Sequence, residues 1–369
     1  MAAEKNNKTL NVPNLRFPEF SGEWELVALK EVADFANGKA HEDSVSEDGK
    51  YILINSKFIS TEGKVKKYTD KQLSPLYKNQ IVMVMSDLPN GKALAKCYYI
   101  NEDDKYTLNQ RICSLTPTCC DSRFLLYQIN RNKYYLRFDD GVNQTNLKKG
   151  EVLNCPVYLP SSNEQQKISA LLSLLDQRIA TQKKVIEKYE SLIRGLCENL
   201  TRQGTANKTI DECLECHSST LQESAVLDVG RYPVYGATGV CGYTDAPEAS
   251  GDGILIIKDG ASVGVTYFAN GSYSSIGTLN RLTAKEGINL RYAYYCLKVM
   301  NFAPFKTGLA IPHIYFKDYG KHKIWCPPLE QQSRIADALT NIDNMIHIEK
   351  SLLEQLNSQK RYVLNQLFI

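Results

Sequence analysis

The second half of the chain repeats the first at a spacing of about 167 residues, and this constrains the fold more than any single motif does. Gly141 matches Gly308, Pro160 matches Pro327, and Asp176 matches Asp343. Glu164-Gln165-Gln166-Lys167-Ile168 returns as Glu330-Gln331-Gln332-Ser333-Arg334-Ile335, with one residue inserted. Thr107-Leu108-Asn109-Gln110-Arg111 resembles Thr278-Leu279-Asn280-Arg281, and the stretch Phe124 to Ile129 resembles Tyr292 to Leu297. A repeat of this length predicts two like-built globular regions, each followed by a long segment of different character.

The long segments read as helices. Apolar residues recur in a 4,3 alternation at Ile168, Leu172, Leu175 and Ile179 in the first, and at Ile335, Leu339, Ile342 and Ile346 in the second. The stripe is interrupted at Gln182, Glu349 and Lys360. Neither segment contains proline, and each follows one, Pro160 or Pro327-Pro328. Two helices of roughly 35 to 40 residues, about 50 to 60 Å long, are therefore expected. Gln182 and Glu349 hold equivalent places, so an antiparallel pairing would bring them together in a polar layer.

The globular regions read as mixed α and β. Runs such as Tyr51–Ile54, Ile81–Met85 and Arg111–Leu115 in the first, and Gly253–Ile257, Val263–Phe268 and Leu279–Thr283 in the second, predict short strands. Residues 121 to 138 and 289 to 300 predict helices. Most of the glycine sits in the loops between them, where function is carried on a rigid scaffold. With 43% hydrophobic and 23% charged residues, the composition excludes a disordered or fibrous chain. No stretch has the roughly 18 apolar residues of a membrane span, and Met1 to Leu10 lacks the apolar core of a signal peptide, so a cytoplasmic protein is expected.

Catalytic constellations are missing. There is no phosphate-binding GxxxxGK[ST] loop, no GxSxG elbow, no HExxH and no Asn/Asp-Pro-Pro-aromatic tetrapeptide. Glu62-Gly-Lys64 and Asp103-Asp-Lys105 have the form of nuclease metal sites, but such strings arise by chance among 44 Lys+Arg and 41 Asp+Glu. Cys213-Leu-Glu-Cys216-His217 has the spacing of haem attachment or half a zinc site, with nothing nearby to complete it. The 11 cysteines and this string are read as structural and the five dispersed histidines as non-catalytic, and no catalytic residue or metal site is expected.

Two similar modules joined by two similar helices suit a ligand that offers two similar sites at a fixed distance, and duplex DNA is such a ligand. The net charge of +3 places any such role in local patches. Lys92, Lys258 and Lys306 are candidates for phosphate contacts; Asn109, Arg111, Asn143, Gln144, Asn280 and Arg281 can make bidentate contacts with base edges. Thr145, Ser262 and His313, in the same loops, complete the expected set. Asn109, Arg111, Asn280 and Arg281 lie at strand starts, where tying down a loop is the alternative role. A self-sufficient DNA-modifying or DNA-cleaving enzyme is the second reading.

A tryptophan-led opening (Trp24 to Leu29, then Val32 to Phe35 and Gly38), a Pro followed by a Glu-Gln-Gln helix, and the same plan again through Tyr232-Pro-Val-Tyr-Gly236 and Gly308-Leu-Ala-Ile-Pro312-His313 resemble the specificity (S) subunit of type I restriction-modification systems. The second half departs from this pattern, with Lys208-Thr-Ile-Asp-Glu-Cys213 in place of the tryptophan opening. The resemblance implies an α+β chain with two target-recognition domains, residues 21–160 and 204–328, after a tail at 1–20. Spacer helices at 161–203 and 329–369 would form an antiparallel coiled coil. It further implies a non-catalytic chain that reads an asymmetric bipartite target in double-stranded DNA and docks two modification (methyltransferase) subunits and restriction/translocase subunits. No cofactor would bind this chain; S-adenosylmethionine and Mg-ATP would belong to the partners.

Overall fold

A computed structural model describes residues 11–308 and 310–368; the reading of Met1 to Leu10 lies outside them. Four helices organise the chain: α1 (Ser122–Ile129), α2 (Ser162–Thr201), α3 (Leu290–Lys298) and α4 (Leu329–Leu367). α2 and α4 run for 40 and 39 residues, uninterrupted because no proline or turn residue breaks the stripe. No helix among the described residues is long and apolar enough to cross a membrane. The chain forms two compact units, Met1–Ala180 with Glu354–Ile369, and Thr181–Leu353.

In the first unit a four-stranded antiparallel sheet runs in the order Ala33–Asn37, Ile112–Pro117, Ile81–Val84, Cys97–Tyr99. Its inner strand, Ile81-Val-Met-Val84, is buried throughout because successive side chains serve opposite cores. Ile81 and Met83 pack with Leu125 and Ile129 of α1, whereas Val82 and Val84 pack with Ile52, Ile54 and Phe58 under a second, smaller sheet. The second unit repeats this with Leu214–Ser218, Leu279–Ala284, Gly253–Ile257 and Thr266–Ala269. Ile254 and Ile256 face α3, and Leu255 and Ile257 face a second sheet through Tyr273 and Leu279.

This register corrects one correspondence drawn from the sequence. Ile112 pairs with Val84, and Leu279 pairs with Ile257, so Leu279 stands where Ile112 does and Asn280 where Cys113 does. Thr107-Leu108-Asn109 instead lies beside Ile54 in the other sheet, Leu108 pairing in parallel with Ile54. The two TLN strings share letters and not positions. The roughly 167-residue offset set by the glycine and proline matches holds through the strand.

The Glu-Gln-Gln string joins each unit to its long helix. Gln165 Nε2 donates to the Pro160 carbonyl at 2.9 Å, and its Oε1 accepts the Asp121 N–H at 2.9 Å. Gln332 does the same with the Pro327 carbonyl at 2.8 Å and the Asn289 N–H at 2.9 Å. Asp121 and Asn289 are the N-caps of α1 and α3, each accepting from the third residue onward, Phe124 and Tyr292. A second tie repeats as well: Tyr127 of α1 donates to Asp176 of α2 at 2.7 Å, and Tyr295 of α3 to Asp343 of α4 at 2.9 Å. Trp24 packs edge-on against Phe124 and Phe368 in the first unit. The second unit has no tryptophan there; its entry is held by Asn207, whose amide pairs with both the N–H and the carbonyl of Cys326.

The two long helices pack antiparallel within each unit. In the first, Ile168, Leu172 and Leu175 of α2 share a core with Leu367 and Val363 of α4, and Lys360 forms an ion pair with Asp176. In the second, Ile193 and Cys197 share a core with Ile335, Leu339 and Ile346. Ile179 is buried too, Ile342 half-buried. The interruptions in the stripe pair with one another: Gln182 Nε2 donates to the Glu349 carbonyl at 3.0 Å and to its carboxylate. Replacing only Gln182 with leucine is expected to lower the thermal midpoint, because it leaves a half-buried carboxylate without its donor, at a cost of about 1–3 kcal/mol. Replacing both Gln182 and Glu349 with leucine should raise the midpoint above that of the unsubstituted chain, as apolar seams are stabler and less selective of register. Thermal melts of the two variants check the sign reversal.

Candidate nucleic-acid interface

In the first unit two loops are clamped side by side. Thr145 pairs with Asp87 and Asn146 with Ser86 in a short antiparallel ladder, and Asn90 Nδ2 donates to the Gly141 carbonyl at 3.2 Å. Asp87 builds the first loop: one oxygen accepts the Leu88 N–H at 2.9 Å, the other those of Ala93 at 2.6 Å and Leu94 at 3.0 Å. Asp140 builds the second by accepting the Asn143 N–H at 2.8 Å, the Val142 N–H at 2.9 Å and the Asn143 side-chain amide at 3.0 Å. Those bonds hold its carboxyl down at about 2, so it stays ionised at any ordinary pH. Gln144 Nε2 donates to Ser86 Oγ at 2.7 Å, and the Met85 N–H to the Arg111 carbonyl at 3.0 Å, which sets Arg111 beside this ladder. Arg111 and Asn90 are held at φ of 65° and 55°, a left-handed conformation that asparagine tolerates in turns but that is uncommon for arginine.

The second unit builds the same junction with different side chains. Asp259 and Thr307 each bridge to His313 through the backbone, and the Gly260 N–H donates to Pro312. The Ile314 N–H reaches the Lys258 carbonyl, as the Leu147 N–H reaches that of Met85 in the first unit. His313 Nδ1 donates to Asp259 Oδ1 at 2.6 Å, which fixes the ring and leaves Nε2 as its free edge; Lys258 lies 3.8 Å from the other Asp259 oxygen. Gly308 takes φ of 89°, and a Cβ there would stand 2.4 Å from the Ile311 carbonyl, so only glycine closes this loop.

Several predicted residues thus come together: Lys92, Asn143, Gln144 and Arg111 around one ladder, and Lys258, Lys306 and His313 around the other, with Ser262 exposed on the loop after Gly260. Lys92, Arg111 and Lys306 are exposed, and none of them forms an ion pair among the described residues. Three residues of the expected set have buried polar groups. Asn280 is buried with its side-chain oxygen on Ser218 Oγ at 3.1 Å, Thr145 is buried under Asp139, and the Oδ1 of Asn109 is buried, with the Gly38 backbone pressed on the Asn109 carbonyl. Asn280 and Thr145 face inward because their strands turn that side to a core, and their side chains hold neighbouring residues. Arg281 lines a separate cavity of about 370 Å³ with Tyr273 and Ser218. Sequence reading missed the carboxylates that build the loops: Asp140 accepts the N–H two residues on as in an Asx turn, Asp87 reaches N–H groups six and seven residues on, and Asp259 holds the His313 ring.

The remaining sequence motifs settle into structural places. All 11 cysteines are free thiols, and burial pushes Cys213 up to about 12. His217 contacts Thr283 Oγ1 at 2.9 Å, and no group of three or more His, Cys, Asp or Glu among the described residues is placed to hold a metal ion. Asp103 accepts the Lys78 N–H at 2.7 Å.

Two like-built units, each with one loop junction and its own stretch of antiparallel helix packing, are matched by the family of type I restriction modification DNA specificity domains over residues 21–191 and again over 204–358. The chain belongs to this family. Among its specificity-domain relatives, the type I restriction enzyme MjaVIII specificity subunit of Methanocaldococcus jannaschii is 34% identical over 118 residues, 31% of this chain and 28% of that one. The EcoprrI specificity subunit of Escherichia coli is 26% identical over 114 residues, 31% of this chain and 28% of its own length. The matched stretches thus span less than a third of these relatives. The type I restriction-modification S subunit from M. genitalium shares the fold over nearly its whole length, with a TM-score of 0.68, 20% identity, and 97% and 99% of the two chains covered.

Proposed function

We propose that this chain is the non-catalytic DNA-recognition subunit of a type I restriction-modification complex, with one half of a bipartite target read by each unit. The observation that carries the reading is the repeated loop junction, which presents Lys92, Arg111 and Gln144 in one unit and Lys258, Lys306 and His313 in the other. Amides, a guanidinium and an imidazole edge supply directional contacts to base edges, and the lysines supply phosphate contacts that carry no sequence information. The two sets differ, so the target is asymmetric and not a palindrome. α2 and α4 set the spacer between half-sites and offer the surface on which two modification subunits dock, with restriction/translocase subunits joining the complex in the cytoplasm. S-adenosylmethionine and Mg-ATP act on those partners.

The test is an exchange of residues 208–326 for the equivalent stretch of a relative, in a complex reconstituted with the modification subunits, followed by mapping of methylated adenines. One half-site is expected to change and the other to stay. A change in both contradicts the reading, as does methylation or nicking of DNA by the purified chain alone.

A further inference from the structure

The exposed apolar tips of the first unit's loops extend the recognition reading, and the role assigned to them rests on it. Leu88 and Val142 are 69% and 76% exposed, on the two loops joined by the Asn90–Gly141 bond. Single exposed aliphatics are ordinary. Here the backbone under both is immobilised: Asp87 holds the Leu88 N–H, and Asp140 holds those of Val142 and Asn143. Groups fixed in advance lose little freedom on meeting a ligand. Both carboxylates are committed within the loops, Asp87 to backbone N–H groups and Asp140 to those and the Asn143 side-chain amide, so the outward chemistry of this surface is two aliphatic tips beside the amide oxygens of Gln144 and Asn143 and the cations Lys92 and Arg111.

We propose that Leu88 and Val142 read thymine through its 5-methyl group in the major groove of the half-site bound by the first unit. The major-groove edge of an A·T pair combines an apolar methyl with acceptors and a donor, and no other standard base pair offers an apolar group there. A phosphate surface would use the lysine and arginine and leave the tips idle. The second junction also exposes an aliphatic, Ile311, on the loop that carries His313; the thymine reading concerns the half-site bound by the first unit, where two such tips are held together.

The experiment uses the complex of the full chain with its modification subunits and a duplex bearing the mapped target. Each thymine of either strand is replaced in turn by deoxyuridine, which lacks only the methyl group. At one or two positions of the first half-site, binding is expected to weaken about three- to fivefold, the effect of removing one buried methyl. Leu88→Ala with Val142→Ala should weaken binding to the natural target by a similar factor and make the complex indifferent to the same swap. Both positions are surface tips, so a matched thermal melt establishes that the variant is folded. The proposal is overturned if the first half-site contains no thymine in either strand, if no swap there weakens binding, or if the double variant keeps the full swap penalty. Bases that unstack at these tips, shown by 2-aminopurine fluorescence without any methyl dependence, also overturn it in favour of a wedge. In each of these cases selective binding of the mapped target persists, whereas loss of preference for that target over a scrambled duplex removes the recognition reading itself.

Discussion

Gln332→Leu is expected to lower the thermal midpoint of the second unit by roughly 5–15 °C. Gln332 is 1% exposed, and its amide satisfies two backbone groups, the part-buried Asn289 N–H at the cap of α3 and the buried Pro327 carbonyl before α4. Leucine fills a similar volume but orphans both groups, each at about 1–3 kcal/mol. For a unit of this size each kcal/mol moves the midpoint by roughly 2–4 °C. Gln332→Glu keeps an acceptor for Asn289 and loses the donor to Pro327, so its midpoint should fall between the two. Gln165→Leu should act in the same way on the first unit, through Asp121 and Pro160. Calorimetry separates the cases; a Gln332→Leu melt within about 1 °C of the original would show that the joint lies elsewhere.

This joint also shows where sequence reading stops. The helices of 40 and 39 residues were readable because a 4,3 stripe sustained over many turns has few alternatives, and even its interruptions at Gln182 and Glu349 pointed at each other. The Glu-Gln-Gln string was readable as a repeat, but the glutamine that makes the joint is the first of the string in one unit and the second in the other, and its partners lie 44 residues back at Asp121 and 43 back at Asn289, where no local pattern marks them. Strand positions were clear and their facing was not. Leu279-Asn280-Arg281-Leu282 has the look of a loop-edge reader, whereas the ladder with Ile256 and Ser218 turns Asn280 inward. The loops announced themselves by glycine. Which loops would meet depended on backbone bridges such as Asp259 to His313, between residues far apart in sequence that carry no mutual signature.

The helix pair makes the sharpest demand on the chain. Inserting two residues near Thr181 to Lys184 rotates everything after them by about 200°. The seam residues of α2 before the insertion, Ile168 to Ile179, and those after it, Ile186 to Cys197, would then lie on different sides of the helix, so α4 could not pack on both and assembly should fail. Inserting four residues is close to one full turn, so the stripe stays nearly in phase and the fold survives. The added length is about 6 Å at 1.5 Å per residue, against about 3.4 Å per base pair of duplex. If α2 and α4 set the distance between half-sites, mapping of methylated adenines in a complex carrying the four-residue insertion should return both half-sites unaltered and a spacer longer by one or two base pairs. An assembled, active complex whose spacer is unchanged would contradict the account, because something other than these helices would then be measuring the DNA.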